Sequence, residues 1–173
     1  ELERRLSALP WVEHTALSSS LPIWAFGASA RFIVQGQPVP RLGQEPLAYA
    51  ESVTPGYFDA MGLRLEQGRV FTSADTTNAP SVVIINNAMA RRVWSGQSPI
   101  GKRIGGADPA NPEWEEVVGV VNDIRFPANL GRPDTPWQLY RPLAQNPRAF
   151  LAIELRTSGP PESVAAALHK AVA

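Results

Sequence analysis

With 173 residues, 44% of them apolar, the chain can hold one domain with a sizeable core or two small lobes, and wholesale disorder is excluded. Sixteen Lys and Arg balance sixteen Asp and Glu with no dense basic run, so charge selects neither nucleic acid nor an anionic membrane surface. Cysteine is absent, which removes disulfides, thiol nucleophiles and Cys-based metal sites, and no apolar run approaches the roughly 18 residues that a membrane span needs.

Leu2, Leu6 and Leu9 recur at helical spacing, predicting a short amphipathic helix that ends before Pro10. Val12 to Ser19 follows as a strand. Ser18-Ser19-Ser20 then leads into Leu21-Pro22-Ile23-Trp24-Ala25-Phe26-Gly27, an apolar loop that is either core or, if exposed, a contact patch. Trp24 and Phe26 are the candidate partner contacts, Trp being enriched where binding energy concentrates. Arg31 to Gly36 alternates as a strand does, and Leu47 to Val53 is a second strand after a turn through Pro38 and Pro40. Thr54-Pro55-Gly56-Tyr57-Phe58 reads as a helix start, with Thr54 as N-cap, Pro55 at the first helical position and Gly62 as the stop.

Leu63 to Gly68 is a short extended piece, and residues 72–75 form a turn. Val82-Val83-Ile84-Ile85 is a β-branched run suited to a strand buried on both faces. Asn86 or Asn87 can cap a helix over Ala88 to Trp94, ended by Gly96. Ile100 to Ile104 is extended, and Glu115 to Ile124 is the strongest strand. Trp137 to Tyr140 and Phe150 to Leu155 are further strands. Ser158-Gly159-Pro160-Pro161 opens a last helix whose Val164, Leu168 and Val172 share one face. Helical patterns at both ends suggest a segment cut from a longer protein, with the terminal helices paired. Strands joined mostly without crossover helices favour α+β over a doubly wound sheet.

No catalytic constellation emerges. Gly96-Gln97-Ser98-Pro99-Ile100-Gly101-Lys102-Arg103 has phosphate-loop spacing up to its lysine, but Arg103 replaces the Mg²⁺-binding hydroxyl, and the order is helix then strand instead of strand then helix. It reads as a Gly-Pro turn with two surface cations. His14 and His169 lie at opposite ends, outside any ligand spacing. Glu113, Glu115 and Glu116 around Trp114 resemble a sugar platform superficially; a solvated strand start is the simpler reading. Asp123 and Arg125 read as a local ion pair or turn. The expectation is no catalytic residue, no cofactor and no metal.

Six segments carry a family resemblance. Ser52-Val53-Thr54-Pro55-Gly56-Tyr57-Phe58-Asp59-Ala60-Met61-Gly62, Gly68-Arg69-Val70-Phe71-Thr72 and Val82 to Asn87 with Ala90-Arg91-Arg92 and Trp94 are three of them. Pro99-Ile100-Gly101-Lys102-Arg103-Ile104, Val117 to Arg125 and Tyr140-Arg141-Pro142-Leu143 complete the series. Together, and in this order, they resemble MacB-like periplasmic core domains. Asn122 stands where that pattern has Gly, and Arg141 where it has Val or Ile; both read as surface or turn variation.

The resemblance implies an α+β fold in which both chain ends, 1–29 and 130–173, build a porter-like lobe and 30–129 forms an inserted, mostly-β sabre-like lobe. It implies a periplasmic domain of a bacterial inner-membrane permease of the ABC type, MacB/FtsX-like, that couples transmembrane helix motion to handling of a substrate or partner. Its partners would be its own transmembrane helices, a separate cytoplasmic ATPase subunit, a second permease copy and an unknown periplasmic partner. The alternatives are a carbohydrate-active enzyme fragment using Glu113 or Glu115, and a stand-alone soluble binding domain.

Overall fold

The fold was obtained as a computed structural model, in which residues 2–21, 28–124, 137–159 and 168 are described. In chain order the elements are α1 (Leu2–Ser7), β1 (Val12–Ser18), β2 (Ala28–Val34), β3 (Leu47–Val53), α2 (Tyr57–Met61) and β4 (Leu65–Gly68). There follow β5 (Val82–Asn86), α3 (Asn87–Val93), β6 (Arg103–Gly106), β7 (Glu115–Val121), β8 (Gln138–Pro142) and β9 (Ala152–Thr157). Short helices among mostly antiparallel strands make this an α+β fold, as expected from the sequence.

Pairing follows the order β2-β6-β7-β5-β8-β3, and β2 also pairs with β3, so these six strands close on themselves as a ring. Closure removes sheet edges, which otherwise template aggregation. Side chains alternate across the ring wall. Phe32, Ala48, Ala50, Val83, Ile85, Ile104, Val117, Val120 and Leu139, drawn from all six strands, form one buried cluster with Met89, Ala90 and Trp94. The intervening residues Val53, Val82, Ile84 and Tyr140 join a second cluster with Ala16, Tyr57 and Phe58 on the ring's outer face. β5 is therefore core on both sides, and Ile84 and Ile85, both at 0% exposure, each contribute roughly 2 kcal/mol by burial.

Gly119 interrupts the β7 valine run for a local reason. A Cβ there would meet the Arg69 carbonyl oxygen at 2.3 Å, and the β5–β7 register shifts at the same place.

Outside the ring, β1 pairs with β9 antiparallel from Val12↔Thr157 to Ser18↔Ala152. β1 meets the ring strand β3 at a single register pair, Ser18↔Val53. The β1–β9 ladder, with α1 packed on β1, is thus joined to the ring through a narrow seam, over which Tyr57 and Phe58 of α2 are packed.

Two local expectations change. Thr54 does not cap α2: the N-cap is Gly56, with no side-chain capping bond. The Pro55-Gly56 turn instead closes with Tyr57 N–H donating to the Thr54 carbonyl. The Thr54 hydroxyl is thereby free to donate to Glu3 Oε1 at 2.6 Å and accept from Leu17 N–H at 2.9 Å. The strand expected at 100–104 begins at Arg103, because Lys102 N–H still closes a turn onto the Pro99 carbonyl. Asn86 does cap α3, accepting from Met89 N–H at 3.3 Å. Apart from Leu168, which is helical, the C-terminal helix lies outside the described residues, and so does its expected pairing with α1.

Candidate functional site

β7 begins and β8 ends at one mouth of the ring. There Arg141 Nε and Nη2 donate to Glu115 Oε1 and Oε2, each at 2.6 Å, with the two side chains 15% and 11% exposed. A cleft of about 480 Å³ lies beside them, lined also by Ser81, Gly106, Glu113, Trp114, Gln145 and Asn146. Glu113 has φ +46°, the sole non-glycine residue at positive φ among the described residues. Gln145 is committed to the backbone, accepting from Val82 N–H and donating to the Thr76 and Pro80 carbonyls. Both Glu115 oxygens are held by the guanidinium fork, which leaves this carboxylate to serve as an anchor and not as a nucleophile or base. Two readings are corrected here. Glu115 does not begin a solvated strand, and Arg141 is not surface variation; Glu115 is buried, Arg141 is largely so, and each is the other's partner.

The second polar site is the seam. Glu51 of β3 and Glu154 of β9 flank Ser18, Ser19 and Ser20. The Ser19 and Ser20 hydroxyls donate to Glu51 Oε1 and Oε2 at 2.9 and 2.6 Å. The Ser18 hydroxyl lies 2.6 Å from the Ser20 carbonyl and in contact with Glu154 Oε1. Glu154 is 8% exposed, and its Oε2 has no partner. Burial pushes the Glu154 carboxyl up to about 7, with the Ser18 contact opposing and Glu51 reinforcing the rise. Burial also raises Glu51, against the lowering by its Ser20 and Ser19 bonds. Tyr57 and Tyr140, on the same buried face, are both raised, first by burial.

Elsewhere charge is neutralised locally. Arg69 Nη1 and Nη2 donate to Asp75 at 2.8 Å each, and those bonds hold Asp75 below its ordinary value. Asp123 accepts from Ala88 N–H, Asn86 Nδ2 and Arg91 Nη2, so its ionic partner is Arg91 and it braces the start of α3; Arg125 lies outside the described residues. Asn122, expected as turn variation, accepts from Arg64 N–H.

Trp24 and Phe26 lie outside the described residues, and His169 does too. His14 is exposed on β1. The 96–103 segment runs from α3 into β6 as a turn. No group of three or more His, Cys, Asp or Glu among the described residues can hold a metal ion. Sequence reasoning missed Glu51 and Glu154. The available signal was a carboxylate inside a strand, Ala50-Glu51-Ser52 and Ile153-Glu154-Leu155, where burial demands a partner.

The MacB-like periplasmic core domain matches residues 3–171. The macrolide export ATP-binding/permease protein MacB of Aggregatibacter actinomycetemcomitans is 31% identical over 86 residues, 50% of this chain and 12% of that protein. This chain's match thus covers about an eighth of that relative's length. The crystal structure of the periplasmic region of MacB from Actinobacillus actinomycetemcomitans superposes with TM-score 0.66 at 18% identity, covering 99% of this chain and 71% of that one. The extracellular domain of the noncanonic ABC-type transporter YknZ, from Gram-positive bacteria, gives 0.62 at 16% identity, covering 95% and 75%. At such identities the likeness is one of fold. No described helix is long and apolar enough to cross a membrane. The chain belongs to the MacB-like periplasmic core domain family, the extracytoplasmic and non-enzymatic domain of MacB/FtsX-like ABC transporter permeases.

Proposed function

We propose that this domain couples movement of membrane-embedded helices to work on a substrate or partner outside the membrane. One observation carries the reading. Val12 of β1 pairs with Thr157 of β9, and Ser158 N–H donates to the Trp11 carbonyl. The segments before β1 and after β9 therefore leave the ladder side by side at one end, and a displacement of either is passed along the ladder to the seam. The lobe division at 1–29 with 130–173 and 30–129 is part of this proposal. It puts β1 and β9 in the lobe that receives motion and most ring strands in the lobe that offers contact surface; β8, beyond residue 130, pairs within the ring.

Trp24 and Phe26 are proposed as partner contacts. A cytoplasmic ATPase subunit and a second permease copy are the proposed sources of force and symmetry. The test uses the full-length permease in membranes, with spin labels on exposed Glu13 and Leu42, one on the ladder and one on the ring. ATP is expected to shift their distance distribution while a ring-internal pair, Leu42 and Gln97, stays fixed. An unchanged Glu13–Leu42 distance would overturn the reading. The gene's flanking sequence is a simpler check, since an apolar span of roughly 20 residues is required on each side.

A further inference from the structure

Proton counting at the seam shows how its two carboxyls differ. Ser19 receives Ser52 N–H at 2.9 Å, so its own proton is available for Glu51. Ser20 supplies a second hydroxyl proton. Both Glu51 oxygens thus accept, and Glu51 carries the charge. Ser18 has one hydroxyl proton and two oxygen contacts, the Ser20 carbonyl and Glu154 Oε1. A carbonyl cannot donate, so Ser18 donates to Ser20. The remaining contact between two oxygens then requires a proton that only the Glu154 carboxyl can bring. A neutral Glu154 also accounts for an Oε2 that stays buried without a partner.

We propose that Glu154 is a proton-operated latch on the seam between the ring and the β1–β9 ladder. With the proton on, Glu154, Ser18, Ser20 and Glu51 form one chain of hydrogen bonds from β9 across the end of β1 to β3. With the proton off, a second negative charge sits in a buried site beside Glu51, and Ser18 must turn its one hydroxyl proton from the Ser20 carbonyl to the Glu154 carboxylate, which breaks the chain at Ser20. Among the described residues no cation acts on Glu154. The charged and titratable groups that act on Glu154 are Glu51 on β3 and Tyr57 on α2, with Tyr140 of β8 packed against Tyr57. Arg156, two residues along β9, approaches Gly62 in the superposed space of a Cβ and is exposed. Arg148 reaches Ser52 Oγ at 3.4 Å; Glu3 of α1 is bound to Thr54; His14 of β1 is exposed. The latch titrates near neutrality, within reach of the pH changes met outside a cell membrane.

The consequence for coupling rests on the function proposed above, but the latch itself is read on the 173-residue chain, so either can fail alone. The seam amides are Leu17, Ser19, Ser52 and Thr54, each donating across the β1–β3 junction. Their hydrogen-exchange protection, corrected for intrinsic rate, is expected to fall about tenfold from pH 6 to pH 8 while Val83 and Ile85 hold. Glu154→Gln is expected to keep seam protection high and independent of pH. A flat wild-type profile, or the same fall in Glu154→Gln, would overturn the latch. Independently of any variant, ¹³C titration of the wild-type Glu154 carboxyl is expected to show a midpoint near 7; a midpoint below 5 refutes the proposal.

Discussion

At the mouth of the ring a buried carboxylate meets a guanidinium; at the seam the buried Glu154 and the half-buried Glu51 meet hydroxyls and one another's field. Both sites lie where β3 or β8 joins another part of the fold, and both take carboxyls out of water. Arg141 meets both Glu115 oxygens with two short bonds. Among the described residues no cation acts on Glu154, and burial raises its carboxyl. The difference assigns the mouth to permanent structure. The seam, which joins the two parts proposed to move, is left conditional.

The largest effect expected from breaking this contrast is at the mouth. Arg141→Met leaves Glu115 buried and unpaired, and is expected to cost about 3–5 kcal/mol in urea unfolding. Arg141→Met with Glu115→Met removes both charges and is expected to recover most of that loss, since apolar pairs of similar volume commonly replace buried ion pairs without penalty. A single variant within about 1 kcal/mol of wild type would show that the mouth is wetter than its geometry implies.

Asp75 gives an intermediate case. Its side chain is 6% exposed, but Arg69 is 46% exposed. Asp75 also receives Thr72 N–H at 2.8 Å. Asp75→Asn is expected to cost about 1–2 kcal/mol after allowance for the exposed partner. Because the folded Asp75 is held below its unfolded value, its contribution is present above pH about 4 and disappears as pH falls through the folded value. Stability curves against pH for wild type and Asp75→Asn should therefore converge in acid.

Glu154 must show the reverse sign. Its folded value is raised, so its contribution is fully present below its unfolded value near 4.5 and is lost as pH rises to about 7. Glu154→Gln is expected to be near neutral at pH 5 and more stable than wild type at pH 8, by about 2–3 kcal/mol. Equal stability of the two proteins at both pH values would remove the distinction between seam and mouth.

Much of this architecture was legible in local pattern. Val82 to Ile85 announced a strand buried on both faces, and Asn86 announced the cap of α3, because each signal is carried by neighbours in sequence. Ring closure was not legible: it depends on β2 pairing with β3 as well as β6, a matter of register between distant strands. Glu51 and Glu154 were passed over for a related reason. A carboxylate inside a strand is ordinary on an outer face, and only the packing of α2 makes this face a core. Arg141 is the sharpest lesson. It departed from the family pattern and was read as surface variation, yet its partner Glu115 lies 26 positions away in a strand start that looked solvated. Charge pairs across strands leave no periodic trace, so each partner looked like an unremarkable polar residue by itself.

The smallest expected effect closes the series from the exposed side. Arg91 is 65% exposed and its partner Asp123 23% exposed, with Nη2 donating to Oδ2 at 3.1 Å. Water and salt screen such a pair, and holding two side chains together offsets part of the attraction. Arg91→Ala is therefore expected to change stability by no more than about 0.5 kcal/mol, and to do so less in 1 M salt than in 0.1 M. Asp123 itself should matter more than its cation, because it also receives Ala88 N–H at 2.7 Å and Asn86 Nδ2 at 2.9 Å. Asp123→Ala would leave those donors at the start of α3 without their acceptor and is expected to cost about 1–2 kcal/mol. If Arg91→Ala instead matched Asp123→Ala in urea unfolding, the ion pair and not the brace on α3 would be the source of stability, and exposure would have lost its power to rank the carboxylates of this fold.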